Sequence, residues 1–251
     1  MNAYCHYGAI DRRVRRNIKQ MVSEGNTPVG MGLAVPSPFM VELAAVAGFD
    51  FIWIDMEHNL FNPETVQNII RAADSAGMAT CARIAQKDQI LPLLDFGMVG
   101  FTIPHVHTAL ETKELVDIIK YAPDGRRGFC TGGRAQRFGA MPHSEYIKEI
   151  ADEVMLSIMI EDKEGLENAE AILDVPGIDY LQLGPGDLSQ AVGVIGQFDH
   201  PLVTEKKEWL LSLADKRGIK RAGTGAPITI AEDKTVLLAA LQDIIKKHRA
   251  K

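Results

Sequence analysis

The sequence predicts an α/β protein of the (β/α)8 TIM-barrel class, and three observations predict it. From Pro28 onward, short apolar runs alternate with helical stretches, and glycines punctuate the sequence between them. Most of the runs are apolar throughout, as in parallel strands buried on both faces. Seven clear strands and an eighth short one fit within 251 residues, the length of such a barrel. A doubly wound sheet competes, but it carries a glycine-rich phosphate turn after its first strand. Here LAVPSPF follows, with no GxGxxG. With no linker and no low-complexity segment, one domain is expected over residues 1–251, with 1–27 as N-terminal extension and first helix.

The elements follow in order. VGMGLAV (29–35) leads to a helix over 39–48. FDFIWID (49–55) leads to a helix over 63–77, with Asn62 as N-cap and Pro63 at the first helical position. MATCARI (78–84) leads to QILPLLDFG (89–97), and GFTIPHV (100–106) to a helix over 109–122. The stretch 122–145 is long, irregular and rich in Gly and Arg, which marks it as functional within a compact domain. VMLSIMIE (154–161) leads to a helix over 163–175, and IDYLQLG (178–184) to a loop and a helix over 205–218. IKRAGTG (219–225) and the short PITIA (227–231) complete the set. RAGTGAPITIAEDK leaves little room for a helix between the last two strands, so an irregular or shortened C-terminal βα unit is expected.

A formal net charge of −6 argues against nucleic acid, because phosphate binding needs surplus Lys and Arg. The basic stretch DRRVRRNIK (11–19) reads as a solvated first helical turn. Cys5, Cys81 and Cys130 are odd in number and widely spaced, which predicts free thiols, no structural zinc and a reducing compartment. No apolar run approaches membrane-spanning length and no signal-peptide core is present, so a cytoplasmic protein is expected.

In a barrel, chemistry gathers where strands run into βα loops. The second strand ends on Asp55, Glu57 and His58, the third carries Arg83, the fifth ends on Glu161 and Asp162, and the sixth runs into GPGDLS with Asp187. Lys220 falls at the opposite end of its strand, so a Schiff-base mechanism is poorly supported. Glu161 and Asp187 come from neighbouring strands and suit Mg²⁺ or Mn²⁺; zinc is disfavoured because no His or Cys joins them. The alternative is that each caps a helix. The glycines of GPGDLS favour close approach to a ligand instead. His58 can serve as a base near neutral pH or stand as a plain loop histidine. Arg83 calls for an oxyanion or a structural carboxylate partner. Asp95 is either a surface charge or a partner that orients His58.

AGFDFIWIDMEH, the RI at 83–84, LLDFG, IPHV, YAPDGRRG, the IED at 160–162 and GPGDLS together resemble the HpcH/HpaI aldolases. The resemblance runs from about Pro28 to Asp199 and, more weakly, to the C-terminus. It implies a class II aldolase that makes or breaks a 4-hydroxy-2-oxo acid from pyruvate, as a metal-held enolate, and an aldehyde. It implies His58 as base within the Asp55-x-Glu57-His58 motif, Arg83 steadying the enolate, and Asp95 raising the basicity of the histidine. Glu161 and Asp187 would hold Mg²⁺ or Mn²⁺, with Co²⁺ also compatible. Gly184, Pro185, Gly186 and Asp187 would contact the substrate, Gly186 through its backbone. The resemblance further implies a homohexamer, a trimer of dimers, with helices exchanged between subunits; charge and the apolar runs give no nucleic acid or membrane partner.

Met159 departs from the family, which often places a substrate-contacting glutamine there. Two other readings compete. An acyl-CoA lyase of the citrate lyase β type would need an adenine-phosphate site, for which the arginines of 126–137 are the candidates. A non-catalytic 2-oxo-acid-binding paralogue would have little use for a base.

Overall fold

Alternation along each strand sorts the side chains between two separate cores. In β2 (Phe51–Asp55), Phe51 and Trp53 join an inner cluster with Cys81, Met155, Tyr180 and Ile228, while Ile52 and Ile54 join a larger outer cluster. In the outer cluster they meet Val66, Ile69 and Ile70 of α3 (Pro63–Ser75). That is the division of a barrel, with an inner layer filled by side chains and an outer layer between strands and helices. The computed structural model describes residues 15–223 and 226–249. Most of the N-terminal extension, including Cys5, and Thr224 and Gly225 of the seventh predicted strand lie outside the described residues.

Eight strands form one sheet in the order β7-β6-β5-β4-β3-β2-β1-β8, with every pairing parallel. They are β1 (Val29–Leu33), β2, β3 (Ala79–Arg83), β4 (Gly100–Ile103), β5 (Met155–Met159), β6 (Tyr180–Gln182), β7 (Lys220–Ala222) and β8 (Thr229–Glu232). The register Asp55↔Arg83↔Thr102 aligns the strand ends that carry the chemistry. Close strand packing needs small residues inside. A Cβ at Gly30 would come within 2.3 Å of the Phe51 ring.

At the N-terminal end of the barrel, α1 (Ile18–Ser23) plugs the interior, with Ile18 and Val22 in the inner cluster. Of the basic stretch 11–19, residues 11–14 lie outside the described residues, and the arginines that follow them are engaged rather than solvated. Arg15 is buried against Glu153 and the Gly97 carbonyl, and Arg16 pairs with Asp50. Next come α2 (Pro38–Ala47), α3, α4 (Ile90–Phe96) and α5 (Ala109–Ile119). The Asn62 side chain accepts the Thr65 N–H at 2.8 Å, so the expected cap on α3 is formed. After the short α6 (His143–Glu145), the single helix expected over 163–175 breaks at Asn168 into α7 (Lys163–Glu167) and α8 (Ala169–Leu173). Then follow α9 (Pro185–Ala191), where a loop was expected, and α10 (Pro201–Lys216).

Closure at the C-terminal side is irregular. An isolated parallel bridge, Ala222↔Ile228, joins β7 to β8, and the Gly223 N–H donates to the Ile228 carbonyl at 2.8 Å. No helix separates the two strands among the described residues. The chain ends in α11 (Asp233–Arg249), anchored by buried Asp233, which accepts the N–H groups of Ala34 and Val35. Beyond that anchor α11 is exposed, including Leu237, Leu241, Ile244 and Ile245. Among the described residues no helix is long and apolar enough to cross a membrane.

Candidate active site at the barrel mouth

Asp55 organises one side of the mouth. It is buried at the end of β2, and the turn that follows folds back onto it. Its Oδ1 accepts the backbone N–H groups of Glu57 (3.3 Å) and His58 (3.4 Å), and its Oδ2 accepts from the Asn59 amide at 3.0 Å. Arg83 completes the arrangement from β3. Its Nε lies 3.0 Å from Asp55 Oδ1 and 3.1 Å from Glu57 Oε2, and its Nη2 lies 2.9 Å from Asp55 Oδ2. The guanidinium also sits over the Trp53 ring, 5.3 Å from its centroid. Burial alone would raise the Asp55 pKa, but the hydrogen bond and charge of Arg83, aided by His58, hold it below the usual carboxylate range. For Arg83, burial works against the cation, and Asp55, Glu57 and Glu161 outweigh it.

The other side of the mouth is acidic. Glu161 follows β5 and is 2% exposed. Burial, with Asp187 and Glu57 nearby, pushes its carboxyl up to about 7 against the opposing pull of His105. Its Oε1 accepts the His105 N–H at 3.3 Å, while its Oε2 is buried without a hydrogen-bond partner. A Cβ at residue 184 would lie 1.8 Å from that orphaned oxygen, so glycine is required there. Asp187 stands in the first turn of α9. Asp162, not Glu161, caps α7, with its Oδ1 accepting the Gly165 N–H at 2.8 Å.

His105 joins this cluster. One ligand atom each from His105, Glu161 and Asp187 lie within 4.8 Å of one another. The expectation that no histidine accompanies the carboxylates therefore does not hold. Pro104 ends β4 and His105 takes a left-handed φ of 50°, aiming its N–H at Glu161. IPHV contained this residue, but a local pattern does not show that the turn after β4 leans over β5. A buried carboxylate oxygen without a donor, beside a second carboxylate and an imidazole, fits a divalent cation. Asp55, Glu57 and Glu161 act on the one guanidinium, Asp187 adds a fourth carboxylate beside Glu161, and a cation would relieve that excess.

The remaining candidates fall into two groups. His58 is exposed at the rim, its Nε2 3.5 Å from Glu57 Oε2, and Glu57 Oε1 lies 3.5 Å from His105 Nε2. Gly184, Pro185 and Gly186 form the start of α9, with open space around Gly186. Asp95 is elsewhere, on α4, where it pairs with Arg127 at 3.5 Å; burial raises its carboxyl and Arg127 opposes that. Among the described residues no hydrogen bond or ion pair joins Asp95 to His58. The arginines of 126–137 are engaged in the fold: Arg126 on Asp117, Arg127 on Asp95 and Tyr146, Arg134 on buried Asp74.

Comparisons with known proteins point to one family. A family model described as HpcH/HpaI aldolase/citrate lyase matches residues 29–237. The chain is 36% identical over 183 residues to a 2-dehydro-3,6-dideoxy-6-sulfogluconate aldolase of Pseudomonas putida, covering 72% of this chain and 71% of that one. It is 32% identical to a 4-hydroxy-2-oxo-heptane-1,7-dioate aldolase of Shigella sonnei, covering 88% and 82%. An HpcH/HpaI aldolase structure from Desulfitobacterium hafniense superposes with a TM-score of 0.84 at 30% identity, covering 92% and 96%.

Proposed function

Because the chain belongs to the HpcH/HpaI aldolase/citrate lyase family, we propose that this carbon–carbon lyase is a metal-dependent class II aldolase. It would cleave a 4-hydroxy-2-oxo acid to pyruvate and an aldehyde, or run the reverse. One observation carries the reading: the orphaned Glu161 Oε2 in a cluster with His105 and Asp187 at the mouth of the barrel.

Glu161, Asp187 and His105 would hold a divalent ion. A divalent ion there, Mg²⁺ or Mn²⁺ with Co²⁺ compatible, supplies Lewis acidity toward the keto and carboxylate oxygens of a 2-oxo acid. The start of α9, through the Gly186 backbone, binds the substrate carboxylate. Arg83 is locked through Nε and Nη2 by Asp55 and Glu57, so its Nη1 remains to donate to the oxygen where negative charge grows. His58, held beside Glu57, takes the proton of the C4 hydroxyl. The C3–C4 bond breaks, its electron pair passes into the pyruvate enolate, and C4 leaves as the aldehyde carbonyl. Proton return to C3 gives the pyruvate methyl group. Asp95 acts from the loop side, where its pairing with Arg127 holds the 122–145 segment against α4. The exposed apolar residues of α11 support a homo-oligomer in which a neighbouring subunit covers them, and the family resemblance implies a hexamer built as a trimer of dimers.

Deuterium exchange of the pyruvate methyl protons, followed by NMR in D₂O, tests the proposal. Exchange that requires Mg²⁺ or Mn²⁺ and disappears in Glu161→Ala is expected. Wild-type protein that holds the ion yet exchanges nothing overturns it.

A further inference from the structure

We propose that Gln182 is a substrate-binding residue, its side-chain amide donating a hydrogen bond from the barrel floor to an oxygen of the bound 2-oxo acid. The inference rests on the aldolase reading for the identity of the ligand. The donor itself is read from a chain of hydrogen bonds inside the barrel.

Trp53 Nε1 lies 3.4 Å from Thr102 Oγ1, and Thr102 Oγ1 lies 3.3 Å from Gln182 Oε1. An indole nitrogen can only donate. Thr102 therefore accepts from Trp53, and its hydroxyl proton is available to Gln182 Oε1. In this arrangement the carbonyl end of the amide faces Thr102 and the NH₂ end is turned away from it. Among the described residues no acceptor takes the Nε2 protons of Gln182. Gln182 is half-buried, and its NH₂ is left for water or a ligand to accept from.

Position links this donor to the site. Trp53, Thr102 and Gln182 come from β2, β4 and β6, alternate strands, and line one small interior cavity of about 30 Å³, room for one water. That layer lies directly beneath the mouth, because the Arg83 guanidinium rests over the Trp53 ring. The register pairs Gln182 with Met159, the buried residue two positions before Glu161. Met159 offers no donor, so at this step of the barrel the amide comes from β6. A neutral amide suits the place. It donates to an anionic ligand without adding charge to a site where Asp55, Glu57, Glu161 and Asp187 already crowd.

The test is calorimetric titration of the Mn²⁺-loaded protein with oxalate, a planar mimic of the 2-oxo acid, beside Mn²⁺ affinity read by electron paramagnetic resonance. Gln182→Leu is expected to weaken oxalate binding about tenfold to a hundredfold, with Mn²⁺ affinity unchanged. Gln182→Glu should weaken it at least as much, since it places a like charge beneath the ligand. Thr102→Val, which frees the amide to rotate, should cost a smaller factor and add nothing on top of Gln182→Leu. In methyl exchange, Gln182→Leu should raise the KM for pyruvate more than it lowers kcat. Oxalate binding to Gln182→Leu at wild-type strength, with Mn²⁺ retained, overturns the assignment. So does full additivity of the two variants. Wild-type protein that binds oxalate without catalysing exchange would sink the aldolase reading and leave the Gln182 donor standing. Wild-type protein that binds neither oxalate nor pyruvate removes both.

Discussion

Glu161→Gln should stabilise the metal-free protein above neutral pH while abolishing metal binding. Glu161 is 2% exposed, its carboxyl is raised from an ordinary 4.5 to about 7, and one of its oxygens has no donor. The folded state therefore holds the Glu161 proton more tightly than the unfolded chain does. For a carboxyl raised on folding, the penalty is absent below about pH 4.5, grows as pH rises, and levels off above about 7. At about 1.4 kcal/mol per tenfold change in proton affinity, the ionised side chain costs the metal-free fold about 3 kcal/mol at pH 8. Glutamine keeps an acceptor for the His105 N–H and removes the charge. Denaturant unfolding in EDTA, from pH 5 to pH 8, should show the variant gaining on wild type with rising pH. With Mn²⁺ the order should invert, because only the wild type gains from binding. A variant less stable than wild type at pH 8 in EDTA, by a margin independent of pH, would refute the reasoning.

Three further predictions concern neighbouring positions. Gly184→Ala places a Cβ 1.8 Å from Glu161 Oε2 and should abolish Mn²⁺ binding in equilibrium dialysis while far-UV circular dichroism is kept. Retained binding would mean the glutamate is free to move. Arg83→Lys replaces a fork that spans Asp55 and Glu57 with a single ammonium, and kcat for pyruvate methyl exchange should fall about a hundredfold or more. A rate within a few-fold of wild type would show that charge alone suffices. His105→Asn should lower affinity for Co²⁺ and Zn²⁺ about tenfold or more and affect Mg²⁺ much less, because imidazole suits the softer ions. Equal losses for all three would place His105 outside the coordination sphere.

Strand ends explain what was legible. Asp55, Arg83 and Glu161 each stand at or just beyond the end of an apolar run, and in a parallel barrel those ends converge wherever the register falls. The cap at Asn62 was legible because it acts across three residues. His105 was not, because its role depends on a left-handed turn that leans toward another strand's carboxylate. Asp95 read as either a surface charge or a partner of His58, and its pairing with Arg127, thirty-two residues later, was not visible. Arg15 read as solvated, and only the contact with Glu153 and the Gly97 carbonyl, far along the chain, buries it. Helix α11, which follows β8 directly and is exposed beyond its anchor at Asp233, went unread.

By itself, the sequence determined the layered barrel and most of the groups at its strand ends, because hydrophobic periodicity and strand-end position are local properties of a chain. Only the tertiary structure decided which groups meet. It set His105 beside Glu161 and Asp187, split Asp162 from Glu161 into helix cap and candidate ligand, and ran the relay from Trp53 through Thr102 to Gln182. Each of those outcomes depends on distances between residues tens of positions apart. Strand register and barrel closure set those distances, and no short window of sequence contains them.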